Sequence, residues 1–212
     1  MAHQSVYIIG FLAQSLFSAR LIAQWLLSEK AGRVLSPLIF WQLSILASWL
    51  LFIYGLLRND FAIILGQVIS YPIYIRNLQL QHNWIKLPLF SRFIAISVPV
   101  LVFIVMIGNW NYHYHQLFEN KDIPVFLLIW GVTGQLIFAF RFVYQWIYSE
   151  HQGESCLPRN FWLISIGGSL MIFTYAVYRL DPVLMIGQCF GFFVYVRNLI
   201  LIQKQKYNAY VK

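Results

Sequence analysis

The chain has 212 residues, 60% of them hydrophobic, 18% aromatic and only 10% charged, with a mean hydropathy of +0.66. No soluble domain of this size can hide so much apolar side chain, so the composition excludes a water-soluble globular protein and points to the bilayer as solvent. The formal charge of +8 comes from 15 Lys and Arg against 7 Asp and Glu scattered at the ends of apolar runs; without a basic stripe this excludes a nucleic-acid partner and reads as topology and lipid headgroup contact.

Crossing the hydrocarbon core takes about 20 apolar residues, and seven runs qualify: 5–28, 37–57, 61–80, 89–109, 123–148, 159–178 and 182–203. The first run lacks a basic n-region and is too long for a cleaved signal, so it is expected to stay as a membrane span. With the N-terminus outside, the inner segments hold Lys30, Arg33, Lys86, Arg92, Arg159, Lys204, Lys206 and Lys212, and the outer ones Arg58, Lys121 and Arg179. This predicts an N-out, C-in, multi-pass protein. The longest outer connection, Asn109 to Asp122, carries His113 and His115 among aromatic residues and reads as an interfacial belt rather than a metal site. Cys156, in a loop, and Cys189, in an apolar run, show no metal spacing and no pairing.

Self-similarity decides the architecture. "GFLAQSLFSARLIAQWLLSEK" from Gly10 matches "GVTGQLIFAFRFVYQWIYSEH" from Gly131, and the offset of 121 holds without a gap. It pairs Pro37 with Pro158, Phe40-Trp41 with Phe161-Trp162, Ser44 with Ser165, Ser48 with Ser169, Arg58 with Arg179 and Asp60 with Asp181. It continues through Gly66-Gln67 with Gly187-Gln188 and Tyr74 with Tyr195, and closes on Arg76-Asn77-Leu78 with Arg197-Asn198-Leu199. The reading is an all-α integral membrane protein with seven transmembrane helices. Two parallel three-helix repeats, 5–80 and 123–203, are joined by a linker helix at 89–109. Three spans reverse the chain's direction, so one extra span lets the second unit enter with the polarity of the first, an arrangement like that of SWEET transporters.

On a helical wheel Gly10, Gln14, Phe17, Arg20, Gln24 and Ser28 fall within roughly 120°, and Gly131, Gln135, Phe138, Arg141, Gln145 and Ser149 form a twin stripe. A membrane-embedded arginine usually faces a cavity or a partner. Two such stripes facing each other would present fixed positive charge and amide donors to an anion, above all a phosphate. The alternative is that Arg20 snorkels to the headgroups or pairs with Glu29 or Glu150. A third stripe places Gln67, Tyr74 and Asn77, with Gln188, Tyr195 and Asn198, on the same cavity. Arg76 and Arg197 read as inner-end anchors, Ser44 and Ser48 as a small-residue packing face, and Arg58 with Asp60 and Arg179 with Asp181 as local ion pairs at helix starts. No catalytic triad, phosphate loop or zinc spacing is present in the sequence, so no enzyme, cofactor or metal is expected.

The repeated pattern of Gln135, Phe138, Arg141, Gln145-Trp146, Ser149-Glu150, Pro158, Phe161-Trp162, Asp181-Pro182, Gly187-Gln188 and Tyr195 with Arg197-Asn198-Leu199 resembles the lipid A biosynthesis N-terminal domain. This is a small membrane module, related to the PQ-loop and SWEET superfamily, found alone or joined to some lipid-A-disaccharide synthases. The first copy departs from it at Ala13, at Phe61 and at Pro72. The resemblance implies a place in lipid A or envelope glycolipid metabolism in a Gram-negative inner membrane. It does not supply disaccharide-synthase chemistry, whose catalytic domain is not expected within these 212 residues. The leading expectation is a transporter or flippase that binds a phosphorylated glycolipid, a lipid A intermediate or a polyprenyl-phosphate sugar, between its repeats. The alternative is a non-transporting membrane adaptor that captures a lipid or recruits a cytosolic glycosyltransferase.

Overall fold

The computed structural model describes residues 2–58, 61–90 and 124–210, with positions 92, 93, 95–97, 100 and 104 between them. Six helices are α1 (Ala2–Ala31), α2 (Leu38–Leu57), α3 (Phe61–Leu80), α4 (Val125–Gln152), α5 (Arg159–Tyr178) and α6 (Pro182–Tyr210). The described positions from 89 to 104 are helical as well, and no strand occurs among the described residues. Among the described residues five helices are long and apolar enough to cross a membrane: α1, α2, α4, α5 and α6.

Local sequence explains the boundaries. Pro37, Pro124 and Pro158 each stand immediately before a helix in extended geometry, since a ring-fixed φ starts a helix but removes the donor a helix interior needs. Gly32 and Gly153, another pair at the 121 offset, end α1 and α4 at φ +64° and +70°, the left-handed conformation that costs glycine least. α1, α4 and α6 run past their apolar stretches into polar tails, because residues such as Glu, Lys and Gln sustain a helix after hydrophobicity has stopped. Asp181 begins α6 by accepting the Val183 and Leu184 backbone N–H groups at 3.0 and 3.1 Å.

Each helix packs on the next, α1 on α2 through to α6, and α6 closes on α1, so the six form a ring. Ala95 of the linker stretch meets the ring at Tyr71, whose Oη donates to the Ala95 carbonyl at 2.7 Å and accepts from Trp49 at 2.6 Å. The outer surface carries large apolar side chains such as Leu26, Ile53, Phe126, Ile129 and Phe193, the mark of a bundle built for an apolar solvent. The polar side chains turn inward: Arg20, Gln24, Gln67, Asn77, Arg141, Gln145, Gln188 and Asn198 are all buried.

Candidate functional site

At the centre of the ring is a cavity of about 60 Å3, lined by Gln14, Arg20, Gln67, Tyr74, Gln135, Arg141, Gln188 and Tyr195, with Phe17, Phe138 and Ser70 among the remaining walls. That is room for roughly four or five waters, or one phosphate-sized group, and too little for a sugar. Eight of the twelve residues read as substrate-binding therefore share one space.

Arg20 and Arg141 are 4% and 3% exposed. Arg20 does not reach out of the bundle. Its guanidinium lies 4.4 Å from the Phe17 ring, 4.8 Å from Phe40, 5.5 Å from Phe142 and 5.6 Å from Tyr74, and donates to Ser44 Oγ at 2.6 Å. Arg141 sits 3.2 Å over Phe138 and 4.4 Å from Phe142, and donates to the Phe138 carbonyl. Phe142 thus lies against both charges. Among the described residues neither arginine has a carboxylate partner, because Glu29, Glu150 and Asp181 are engaged elsewhere. Ring faces return about 2 kcal/mol to a desolvated cation, whereas burying the charge costs several. The cavity is left electropositive.

The walls come from both sequence copies. The Gln14 amide lies against Gly187 and the Gln135 amide against Gly66, so a Cβ on either glycine would collide with the opposing amide. The two Phe-Trp pairs stack edge to face at 4.8 and 4.9 Å, and each tryptophan lies 6.0 Å from a cavity tyrosine, Trp41 from Tyr74 and Trp162 from Tyr195.

Gln24, Gln145, Asn77 and Asn198 are elsewhere. Gln24 and Asn198 exchange amide hydrogen bonds at 2.9 and 3.1 Å, and Gln145 and Asn77 do so at 2.8 and 3.0 Å. Ser28 Oγ and the Leu35 carbonyl share the second hydrogen of the Gln24 amide, and Ser149 Oγ and the Cys156 carbonyl that of Gln145. Their hydrogen-bonding capacity is spent on joining helices, which corrects their placement on the cavity. The anchor reading of Arg76 and Arg197 changes too: Arg76 pairs with Glu150, donating to its Oε2 at 2.9 Å, and Arg197 pairs with Glu29. Ser44 and Ser48 also do more than pack, since they hold Arg20 and Gln67, the latter at 2.8 Å. Asp181 takes Tyr54 Oη at 2.9 Å and Arg58 at 3.5 Å rather than Arg179. Asp60, His113 and His115 lie outside the described residues.

Two features carried weaker sequence signals. Ser36 and Ser155 meet at 2.7 Å and share the Trp41 indole N–H, but they are not related by the offset and so escape a repeat-based reading. The second is a wider recess of about 730 Å3 at the same end, lined by Arg33, Ser36, Tyr144, Ser155, Arg159 and Lys206 among others.

The model of the Lipid A Biosynthesis N-terminal domain matches this chain twice, over residues 9–79 and 130–200. A Lipid-A-disaccharide synthase of Chlamydia pneumoniae is 29% identical over 208 residues, covering 95% of this chain and 34% of its own length. Those of Chlamydia felis and Chlamydia trachomatis serovar D are 28% and 26% identical over 94% and 96% of this chain and 33% and 35% of their own. The chain thus spans about a third of the length of these curated relatives. No solved structure matches.

Proposed function

On the premise that the chain belongs to the Lipid A Biosynthesis N-terminal domain family, we propose that it is a non-catalytic, multi-pass protein of a Gram-negative inner membrane that binds the phosphate of a glycolipid at its centre and moves that lipid across the bilayer. The glycolipid is a lipid A intermediate or a polyprenyl-phosphate sugar. The chain crosses seven times, N-out and C-in, as three-helix repeats 5–80 and 123–203 joined by the span 89–109. Mirrored contacts support the repeat division: Gln24 with Asn198 and Gln145 with Asn77, Glu29 with Arg197 and Glu150 with Arg76.

The observation that carries the reading is the pair of buried guanidiniums on one cavity with no carboxylate partner among the described residues. An anion is what relieves two buried guanidiniums, and phosphate matches the guanidinium fork. Contacts between the two sequence copies surround the cavity, so a headgroup larger than phosphate enters only when the copies part, as alternating access requires. Reconstituted in liposomes, the double variant Arg20→Ala with Arg141→Ala should fold and lose at least 90% of glycolipid translocation. Undiminished movement would refute the proposal.

The length of the relatives favours a second reading. Proteins named as Lipid-A-disaccharide synthases carry this module with about twice as much further chain. A module that captures the lipid and presents it to such an enzyme would use the same phosphate site without translocation. It would co-purify a glycosyltransferase and move no lipid alone.

A further inference from the structure

Two buried polar atoms of residues on the central cavity lack a hydrogen-bond partner among the described residues: the donor Arg20 Nε and the acceptor Gln188 Oε1. Buried groups left unmet are costly and rare, and a ligand is a common reason for keeping them. Their counterparts are satisfied differently. Gln67, matching Gln188, has its Oε1 taken by Ser48, whereas Ser169, matching Ser48, donates to the Gln188 backbone carbonyl at 3.4 Å. Arg141 donates to a backbone carbonyl, while Arg20 donates to a serine hydroxyl and keeps Nε unmet. A cavity that is two-fold in sequence therefore offers one unmet donor on a cation and one unmet acceptor on a neutral amide, each from a different copy.

We infer that the cavity binds its ligand in one polarity, as a phosphate ester whose phosphate lies on Arg20 and whose neighbouring hydroxyl or amine donates to Gln188 Oε1. This rests on the phosphate reading above and adds the ligand's orientation and its second recognised group. A phosphate with no donor beside it satisfies Arg20 and leaves Gln188 unmet, so it binds more weakly.

The test titrates the full chain in detergent with two probes of equal chain length, dodecyl phosphate and 2-hydroxydodecyl phosphate, read by native mass spectrometry. The hydroxylated probe should bind roughly fivefold to tenfold tighter, the return expected from one hydrogen bond to a buried acceptor. Gln188→Met should erase that preference, so that the two probes bind it with equal affinity. Gln67→Met, whose oxygen is already engaged, should keep it. Gln188→Asn withdraws the oxygen by one carbon and serves as the second variant should methionine prevent folding. Equal binding of the two probes by the unmodified protein overturns the inference and leaves the phosphate reading standing. Binding of neither overturns the phosphate reading itself. A preference that survives Gln188→Met, or vanishes with Gln67→Met, places the hydroxyl elsewhere and also overturns the inference.

Discussion

At the scale of single residues, the glycines separate site from scaffold, because what a new Cβ meets decides its cost. At Gly187 and Gly66 it meets the amide ends of Gln14 and Gln135, which can swing aside. At Gly168 it meets the Phe138 backbone at 2.7 Å, which cannot move without separating α4 from α5. Gly168→Ala should therefore lower stability by about 1–3 kcal/mol, the usual cost of overpacking. Gly187→Ala should stay within about 1 kcal/mol of the parent while displacing Gln14 from the cavity and weakening alkyl phosphate binding. Thermal unfolding beside a binding titration separates the two classes; a Gly187→Ala that unfolds as readily as Gly168→Ala would deny the site its special status. The corresponding residue in the first copy is Ala47, fully buried, so the same step between helices is built there around a methyl group.

At the scale of elements, two kinds of contact join the sequence copies, and their strengths differ. The Arg76–Glu150 and Arg197–Glu29 pairs are partly exposed, with side chains 30–44% accessible, and solvent screens pairs of that kind until they add little. The amide exchanges of Gln24 with Asn198 and Gln145 with Asn77 are buried, and breaking one leaves a buried carboxamide unmet at about 1–3 kcal/mol. Gln24→Leu should thus destabilise more than Glu29→Gln, and Gln24→Leu with Asn198→Leu should cost less than the two singles summed, as melting temperatures of the four variants and the parent will show. The same contacts mark how far the sequence could be read. The helices and the 121-residue repeat were legible because apolar run length and self-similarity are local properties, and Arg20, Gln14 and Gln67 were legible as inward-facing from the wheel. A wheel gives direction around a helix but not depth along a bundle. Gln24 shares the face of Arg20 yet lies a turn further on, where α1 meets α6 and space closes, so it became a joint rather than a wall. Asp181 with Tyr54 and Arg58 was beyond reach for the same reason: the partners are 127 and 123 residues away.

At the scale of the molecule, charge is polarised. Arg33, Arg159 and Lys206 line the 730 Å3 recess, which the proposed orientation turns toward the cytoplasm. Cys156 stands in that recess, in the loop between α4 and α5, and reports which side it faces. Burial, reinforced by the neighbouring Glu154 carboxylate, pushes its thiol up to about 11. The thiolate is the reactive form, so at neutral pH Cys156 should react on the order of a hundredfold more slowly than an ordinary cysteine. Its rate should rise about tenfold per pH unit from 7 to 10, because a raised pKa delays deprotonation. In a Cys189→Ser background, which removes the exposed thiol of α6, an impermeant maleimide should label inverted vesicles and spare right-side-out ones. Glu154→Gln should speed labelling without changing its sidedness, since it lifts the smaller charge effect and leaves the burial. Labelling confined to right-side-out vesicles would invert the molecule, and the basic recess would then face away from every cytosolic partner.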